Sequence, residues 1–249
     1  YLPDTTAGIL QTPQLVNDVV HVWCLSLDLL PQEQERCFSL LSPDEKARAG
    51  KFYFDKARQH FVAARGLLRT LLGGYLEMEP VLIQFSYELQ GKPILNQTWQ
   101  HLPLRFNVSH SENLGIFIFS LDRRVGVDVE YIRPMADMDD LAERFFSPRE
   151  SVLINSLSGY QKQEIFYKIW TCKEAYLKAM GTGLTGSLDQ VEIALDSEKG
   201  AYLMPREGVK REDWHLEIFS PQANYQGALA IEGSGLRILY QQLDRQGKS

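Results

Sequence analysis

The chain reads as an α+β protein of two similar α/β subdomains, with a ligand site expected between them. Three observations predict this. Helix starts of one design occur at Ser42 and Ser147, 105 positions apart. The same spacing carries the strand-like HVWCL (21–25) onto GVDVE (126–130), the long helix expected from near Phe61 onto one from near Phe166, and IQFSYEL (83–89) onto LDQVEIA (188–194). Helices and alternating strands come in separate runs, as in antiparallel α+β folds. Four elements in one order at one spacing indicate a duplicated unit of about a hundred residues.

Each element has a local cause. In LSPDEKARAGKF, Ser42 is the N-cap, Pro43 takes the first helical position and Glu45 closes a capping box. FSPRESVL repeats the device with Ser147, Pro148 and Glu150. RFNVSH and GIFIFSL read as strands, the latter turning at DRR into VGVDVE, and WHLEIF with QGALAIEG closes the second half. The boundary falls between subdomains 1–123 and 124–249. Segment 1–18 and the tail from about 237 belong to neither repeat, and RPMADMDD (133–140) is the most loop-like stretch.

Composition narrows the classes. A chain of 249 residues, 44% hydrophobic, can bury a full core. A net charge of −6 argues against a general nucleic-acid binder. Cys24, Cys37 and Cys172 are odd in number and form no CxxC pair, so a reducing, cytoplasmic setting is expected rather than a disulfide framework or a structural zinc site. No stretch approaches the roughly 18 apolar residues of a spanning helix, and no signal peptide opens the chain, so no membrane partner is expected. The sequence begins at Tyr1, which allows a native segment ahead of it.

The chemistry is concentrated in GVDVEY. A strand period of two puts Asp128 and Glu130 on one face and Val125, Val127 and Val129 on the other. Neighbouring carboxylates repel unless a proton is shared or a cation neutralises them. Downstream, EIFYKIWTCKEAYLKAMGTGL carries a core stripe of Ile165, Ile169, Cys172, Tyr176 and Ala179, with Trp170, Glu174 and Lys178 on a neighbouring face. An isolated Glu–Lys pair of that spacing is ordinarily a solvated one. If this helix packs on the acid strand, Glu174 supplies a third carboxylate, and three carboxylates without histidine or thiolate suit Mg²⁺, with Mn²⁺ as the alternative. Phosphate-binding candidates lie in the first half. They are Arg48, by itself an ordinary solvated arginine, and the turn QGKP, which offers Gly91, Lys92 and Pro93. In FNVSHSE, Asn107, Ser109 and Ser111 share one strand face while Val108 and His110 take the other, which excludes activation of Ser109 by His110.

FNVSHS, VGVDVE, FFSPRE and FYKIWTCKEAYLKAMGTGL, in that order over about residues 106–184, with SPDEKARAGKFYF and QGKP upstream, resemble the Sfp-type 4′-phosphopantetheinyl transferases. The resemblance implies a monomeric pseudo-dimer that moves the phosphopantetheine arm of coenzyme A to a serine of an apo acyl or peptidyl carrier protein, releasing 3′,5′-ADP. It implies Mg²⁺ ligation by Asp128, Glu130 and Glu174, catalytic roles for Glu174 and Lys178, and coenzyme A binding by Arg48, Gly91, Lys92, Pro93, Asn107, Ser109 and His110. The pattern departs at Glu45, where some members carry a basic residue. From the residues alone, a Mg²⁺-dependent phosphohydrolase acting on a nucleotide and a non-catalytic coenzyme A-binding module remain the alternatives.

Overall fold

The structure, a computed structural model, describes residues 10–88, 91–99, 101–181, 188–198, 200–205 and 213–241. The first nine residues, Gln90 of the QGKP turn, residues 182–184 of the long-helix motif and the tail beyond 241 lie outside them.

The repeat is visible element by element. The first half runs β1 (Val19–Ser26), α1 (Pro31–Leu40), α2 (Pro43–Ala49), α3 (Asp55–Leu76), β2 (Phe85–Tyr87), β3 (Pro93–Leu95), β4 (Leu104–Ser111) and β5 (Leu114–Leu121). The second runs β6 (Val125–Tyr131), α4 (Met138–Phe145), α5 (Pro148–Asn155), α6 (Gly159–Met180), β7 (Ile193–Asp196), β8 (Gly200–Leu203), β9 (Trp214–Phe219) and β10 (Tyr225–Glu232). A last strand, β11 (Arg237–Gln241), follows. One sheet has the order β11-β1-β5-β4, with β11 parallel to β1; the other is the antiparallel β6-β10-β9. Thus the tail strand completes the first half's sheet, and Leu10 of the leading segment joins the first half's core.

Strand alternation builds three apolar layers. Val20 and Val22 of β1, Ile116 and Ile118 of β5, the three valines of β6, and Leu229 and Ile231 of β10 pack the two sheets face to face. Trp23 and Leu25 of β1, with Phe117 and Phe119 of β5, meet Leu67, Leu68 and Leu71 of α3 on the outer side. Ala228 and Ala230 of β10 meet Ile169, Cys172 and Tyr176 of α6 on the other. Each sheet therefore carries one 22-residue helix on its outer face.

Several expectations shift. Both long helices begin earlier than read, at Asp55 and Gly159, because the polar turns ahead of Phe61 and Phe166 continue the same helix. Helix α4 occupies the end of the stretch read as loop, burying Met138 and Ala142. Among the described residues IQFSYEL is a strand only at 85–87, and in LDQVEIA residues Leu188–Gln190 form a 3₁₀ turn, with the strand starting at Ile193.

The last two shifts have one cause, a buried ion pair that sequence periodicity does not show. Glu150, the capping-box acid of α5, meets Lys173 of α6, and the Lys173 Nζ donates to the carbonyl of Leu188 at 2.9 Å. The turn aims that carbonyl inward instead of along a ladder. In the first half Glu45 of α2 meets Arg69 of α3 at 2.8 Å, each side chain 1% exposed, and Arg69 donates to the carbonyls of Pro80 and Ile83 around the matching 3₁₀ turn. Buried charges need such partners.

Candidate active site

The site begins with a glycine. Gly126 of β6 lies so close to α6 that a Cβ there would sit 2.0 Å from the Ala175 carbonyl oxygen and 2.5 Å from the Ala179 nitrogen. This contact lays α6 directly on the acid strand. Asp128 and Glu130 then face the stretch of helix that carries Glu174 and Lys178.

From the other side, the polar face of β4 closes on β6 through side chains. Asn107 Oδ1 accepts from the Val127 amide at 3.0 Å, Ser109 Oγ donates to Asp128 Oδ1 at 3.0 Å, and Ser111 Oγ donates to Glu130 Oε2 at 3.1 Å. Lys178 Nζ donates to Asp128 Oδ1 at 2.6 Å and to Ser109 Oγ at 3.0 Å. The three alternate polar residues of FNVSHS therefore hold the acid strand in place.

The acids are crowded and undersupplied with partners. Asp128 Oδ2 and Glu174 Oε1 are buried without a hydrogen bond among the described residues. Burial, then the Asp128 charge, pushes the Glu174 carboxyl up to about 7, and the same two causes raise Glu130. Among the described residues no three His, Cys, Asp or Glu side chains are gathered as a metal-binding group, and it is the Lys178 ammonium that meets Asp128. The donor chemistry nonetheless fits a hard divalent cation: two orphaned carboxylate oxygens, a third acid beside them, and no soft ligand.

Of these groups, Glu174 and Lys178 border a cavity of about 350 Å³ between the halves. Glu174, Lys178 and Gly181 form one wall; Arg48 of α2, Phe61, Ala64, Arg65 and Leu68 of α3, then Glu88, Gly91, Lys92 and Pro93, and Asn107, Val108 and His110 of β4 form the rest. Gly91 has φ 79°, a left-handed conformation that lets the turn approach the cavity without a side chain. Lys92 donates to the Lys178 carbonyl at 2.6 Å, so the turn of the first half is tied to the helix of the second. Burial lowers the Lys92 pKa.

Of the residues singled out in the sequence, Arg48, Gly91, Lys92, Pro93, Asn107, His110, Glu174 and Lys178 line this cavity. Ser109 and Asp128 meet each other and Lys178 at its acidic end, and Glu130 is bound to Ser111 alongside. Arg65 and Glu88 were missed. One signal was available for Arg65, which follows Phe61 by one helical turn and so shares its face. An arginine on a helix is ordinarily solvated, however, and only the fold shows that this one is not.

Comparison with known proteins adds the following. Residues 124–230 match the family model described as "4'-phosphopantetheinyl transferase superfamily", and residues 29–119 match "4'-phosphopantetheinyl transferase, N-terminal". The chain is 44% identical over 221 residues to 4'-phosphopantetheinyl transferase HetI of Nostoc sp., covering 89% of this chain and 91% of the relative. It is 39% identical over 172 residues to a putative 4'-phosphopantetheinyl transferase of Synechocystis sp., covering 68% of each. With 4'-phosphopantetheinyl transferase Sfp of Bacillus subtilis it shares 28% identity over 171 residues, 68% of this chain and 73% of that one.

Proposed function

The chain belongs to the 4′-phosphopantetheinyl transferase superfamily and transfers phosphopantetheine from coenzyme A to carrier proteins, and from that premise we propose that the cleft between its halves performs the transfer, with Mg²⁺ held by Asp128, Glu130 and Glu174. The single observation that carries this reading is the cavity itself, with Glu174 and Lys178 on the α6 wall beside the acid strand and the cations Arg48, Arg65 and Lys92 on the walls from the first half. A diphosphate that bears a nucleotide at one end matches that polarity.

In this reading the attacking group is a carrier serine hydroxyl, the atom attacked is the pantetheine-side phosphorus, and the leaving group is 3′,5′-ADP. When bound, the divalent cation offsets the charge of the diphosphate and of the departing phosphate. The protein's own groups do the rest. Glu174, which lines the cavity and has a buried oxygen without a partner among the described residues, takes the serine proton directly or through one water. Lys178, which donates to Asp128 and Ser109 in the structure, would turn its ammonium to the phosphates and offset the departing charge. Lys92 and the Gly91 turn fix the diphosphate from the opposite wall, and Pro93 stiffens the exit of that turn. His110 and Arg48 hold the nucleotide end. Ser109, Ser111 and Asn107 keep the acid strand at its distance from β4. Both walls come from one chain, so the subdomains 1–123 and 124–249 make a complete site in a monomer.

The test is direct. An apo carrier protein incubated with this protein, coenzyme A and Mg²⁺ should gain the mass of the phosphopantetheine arm on its serine. Release of phosphate without that gain would replace transfer with hydrolysis. Among the described residues no helix is long and apolar enough to cross a membrane, and a cytoplasmic location is part of the proposal, checked by fractionation.

A further inference from the structure

The turn that joins α2 to α3 holds three consecutive aromatic residues in solvent. Phe52 is 37% exposed, Phe54 70% and Tyr53 92%. Neighbouring large apolar side chains left in water mark an interaction surface more often than a single exposed one does. The fold itself gives Phe54 no task. It stands at the N-cap of α3, where a side-chain oxygen would accept from the helix start, and a phenyl ring offers none. The second half begins its matching helix α6 with Ser158 at the N-cap, so the scaffold needs no aromatic residue there.

The rings form an ordered platform. Tyr53 and Phe54 meet edge to face with ring centres 5.0 Å apart, and Phe52 packs on Phe61 at 5.3 Å. Phe61 lines the cavity, so the platform adjoins its rim. The Lys51 and Phe52 amides donate to the carbonyls of Arg48 and Ala49 at 3.0 and 3.4 Å, and the Phe54 carbonyl accepts from the Arg58 amide at 3.1 Å. A surface fixed in this way loses little freedom when a partner covers it.

Charge narrows the partner. From Lys46 to Arg58 the chain carries the cations Lys46, Arg48, Lys51, Lys56 and Arg58 against one acid, Asp55, although its net charge is −6. Asp55 is engaged by Arg58 at 2.9 Å. Lys51 and Lys56, on either side of the rings, are exposed. Protein interfaces bury aromatic rings, and a cationic rim selects an acidic partner. Position decides which one. A protein that lowers a serine into the cavity has to rest on the cavity's rim.

We propose that this platform docks the carrier protein, with Tyr53 and Phe54 against an apolar patch beside its serine and Lys51 and Lys56 against acids around that patch. The proposal rests on the transfer reading and adds a selection rule: carriers with acids flanking the serine are preferred.

The experiment compares the double variants Tyr53→Ser/Phe54→Ser and Lys51→Glu/Lys56→Glu with the unaltered protein. All four side chains are exposed, so the fold should survive, and thermal unfolding checks it. Binding of a fluorescently labelled apo acyl carrier protein is read by anisotropy, coenzyme A affinity by calorimetry and transfer by mass. Each double variant should weaken carrier binding and raise the KM for the carrier by about 10- to 100-fold, with kcat and coenzyme A affinity changed by less than about 3-fold. Added salt should weaken carrier binding by the unaltered protein and hardly affect the charge-reversed variant. A carrier whose flanking acids are changed to lysine should bind the charge-reversed variant better than the unaltered protein.

Carrier binding that is the same in both variants overturns the proposal. So does a platform whose loss abolishes only binding to anionic phospholipid vesicles or only self-association in the ultracentrifuge. Apo carrier that is bound without being modified sinks the transfer reading and leaves the docking surface standing, whereas no binding by the unaltered protein sinks the docking surface.

Discussion

The two halves share a scaffold and differ at every position that bears on chemistry. When β6 is laid on β1, Asp128 and Glu130 fall where the first half has Trp23 and Leu25. When α6 is laid on α3, Glu174 and Lys178 fall on Thr70 and Gly74. In the reverse direction, Arg48 and Arg65 correspond to Leu153 and Ile169. The buried pair is kept in both halves, as Glu45–Arg69 and Glu150–Lys173, together with the capped helix starts at Ser42 and Ser147. The first half fills its strand-to-helix layer with apolar side chains, so Trp23 packs beneath α3 and donates its indole N–H to Tyr75. The second half puts acids there. A duplicated framework can thus divide one site, giving the clustered acids and Lys178 to one copy and Arg48, Arg65 and Lys92 to the other, because its internal supports are independent of the residues that face the cleft.

The largest effect tests that division at its acidic side. Glu174→Gln should lower turnover by about 10²- to 10⁴-fold, the range for loss of a general base, with a much smaller change in coenzyme A affinity. Turnover equal to that of the unaltered protein would remove Glu174 from the mechanism.

Next come the shared supports. Breaking either buried pair, by Arg69→Met or by Lys173→Met, strands a carboxylate inside the protein, and each should cost about 3–5 kcal/mol in denaturant unfolding. If one half tolerates the change and the other does not, the symmetry of the supports is false.

Gly126→Ala should destabilise by about 1–3 kcal/mol, because the new methyl group meets helix backbone and α6 must lift from β6. Turnover should fall with it. An alanine variant of full stability and activity would show that the close approach of helix and strand is dispensable.

Mg²⁺ should stabilise the folded chain by about 2–3 kcal/mol at a concentration near a hundred times its dissociation constant. Chelation should reverse the gain, and Asp128→Asn should abolish it while Arg48→Ala leaves it intact. A gain that survives in Asp128→Asn would place the ion elsewhere.

The smallest effect is expected away from the cleft. The Arg124–Glu232 pair, 2.7 Å apart, is substantially exposed on both sides, so Glu232→Gln should change stability by less than about 1 kcal/mol. The hydrogen bond from Arg124 holds the Glu232 pKa below its ordinary value. Its contribution is therefore complete above the usual glutamate range and lost as pH falls through the depressed value, and thermal unfolding at pH 7 and pH 3 measures it.

Much of this was legible in the chain. The alternation in GVDVEY put both acids on one face, the Ser-Pro-x-Glu starts marked α2 and α5, and the four-residue spacing of Glu174 and Lys178 aligned them on α6. What escaped was of another kind. Helices α1 and α4 are only 10 and 8 residues long and lack the Ser-Pro start of α2 and α5, and the 3₁₀ turn at Leu188 answers to a lysine on another element. The local rules of backbone geometry, with a period of two in strands and 3.6 in helices, act between residues close in sequence, so the sequence by itself determined faces, caps and the duplicated order. Whether a charge has a partner depends on residues far apart in the chain. Only the tertiary structure decided that Glu45 belongs to Arg69 and Lys173 to Glu150, that β4 holds the acid strand through its serines, and that Arg65 sits among three aromatic rings at the cavity wall.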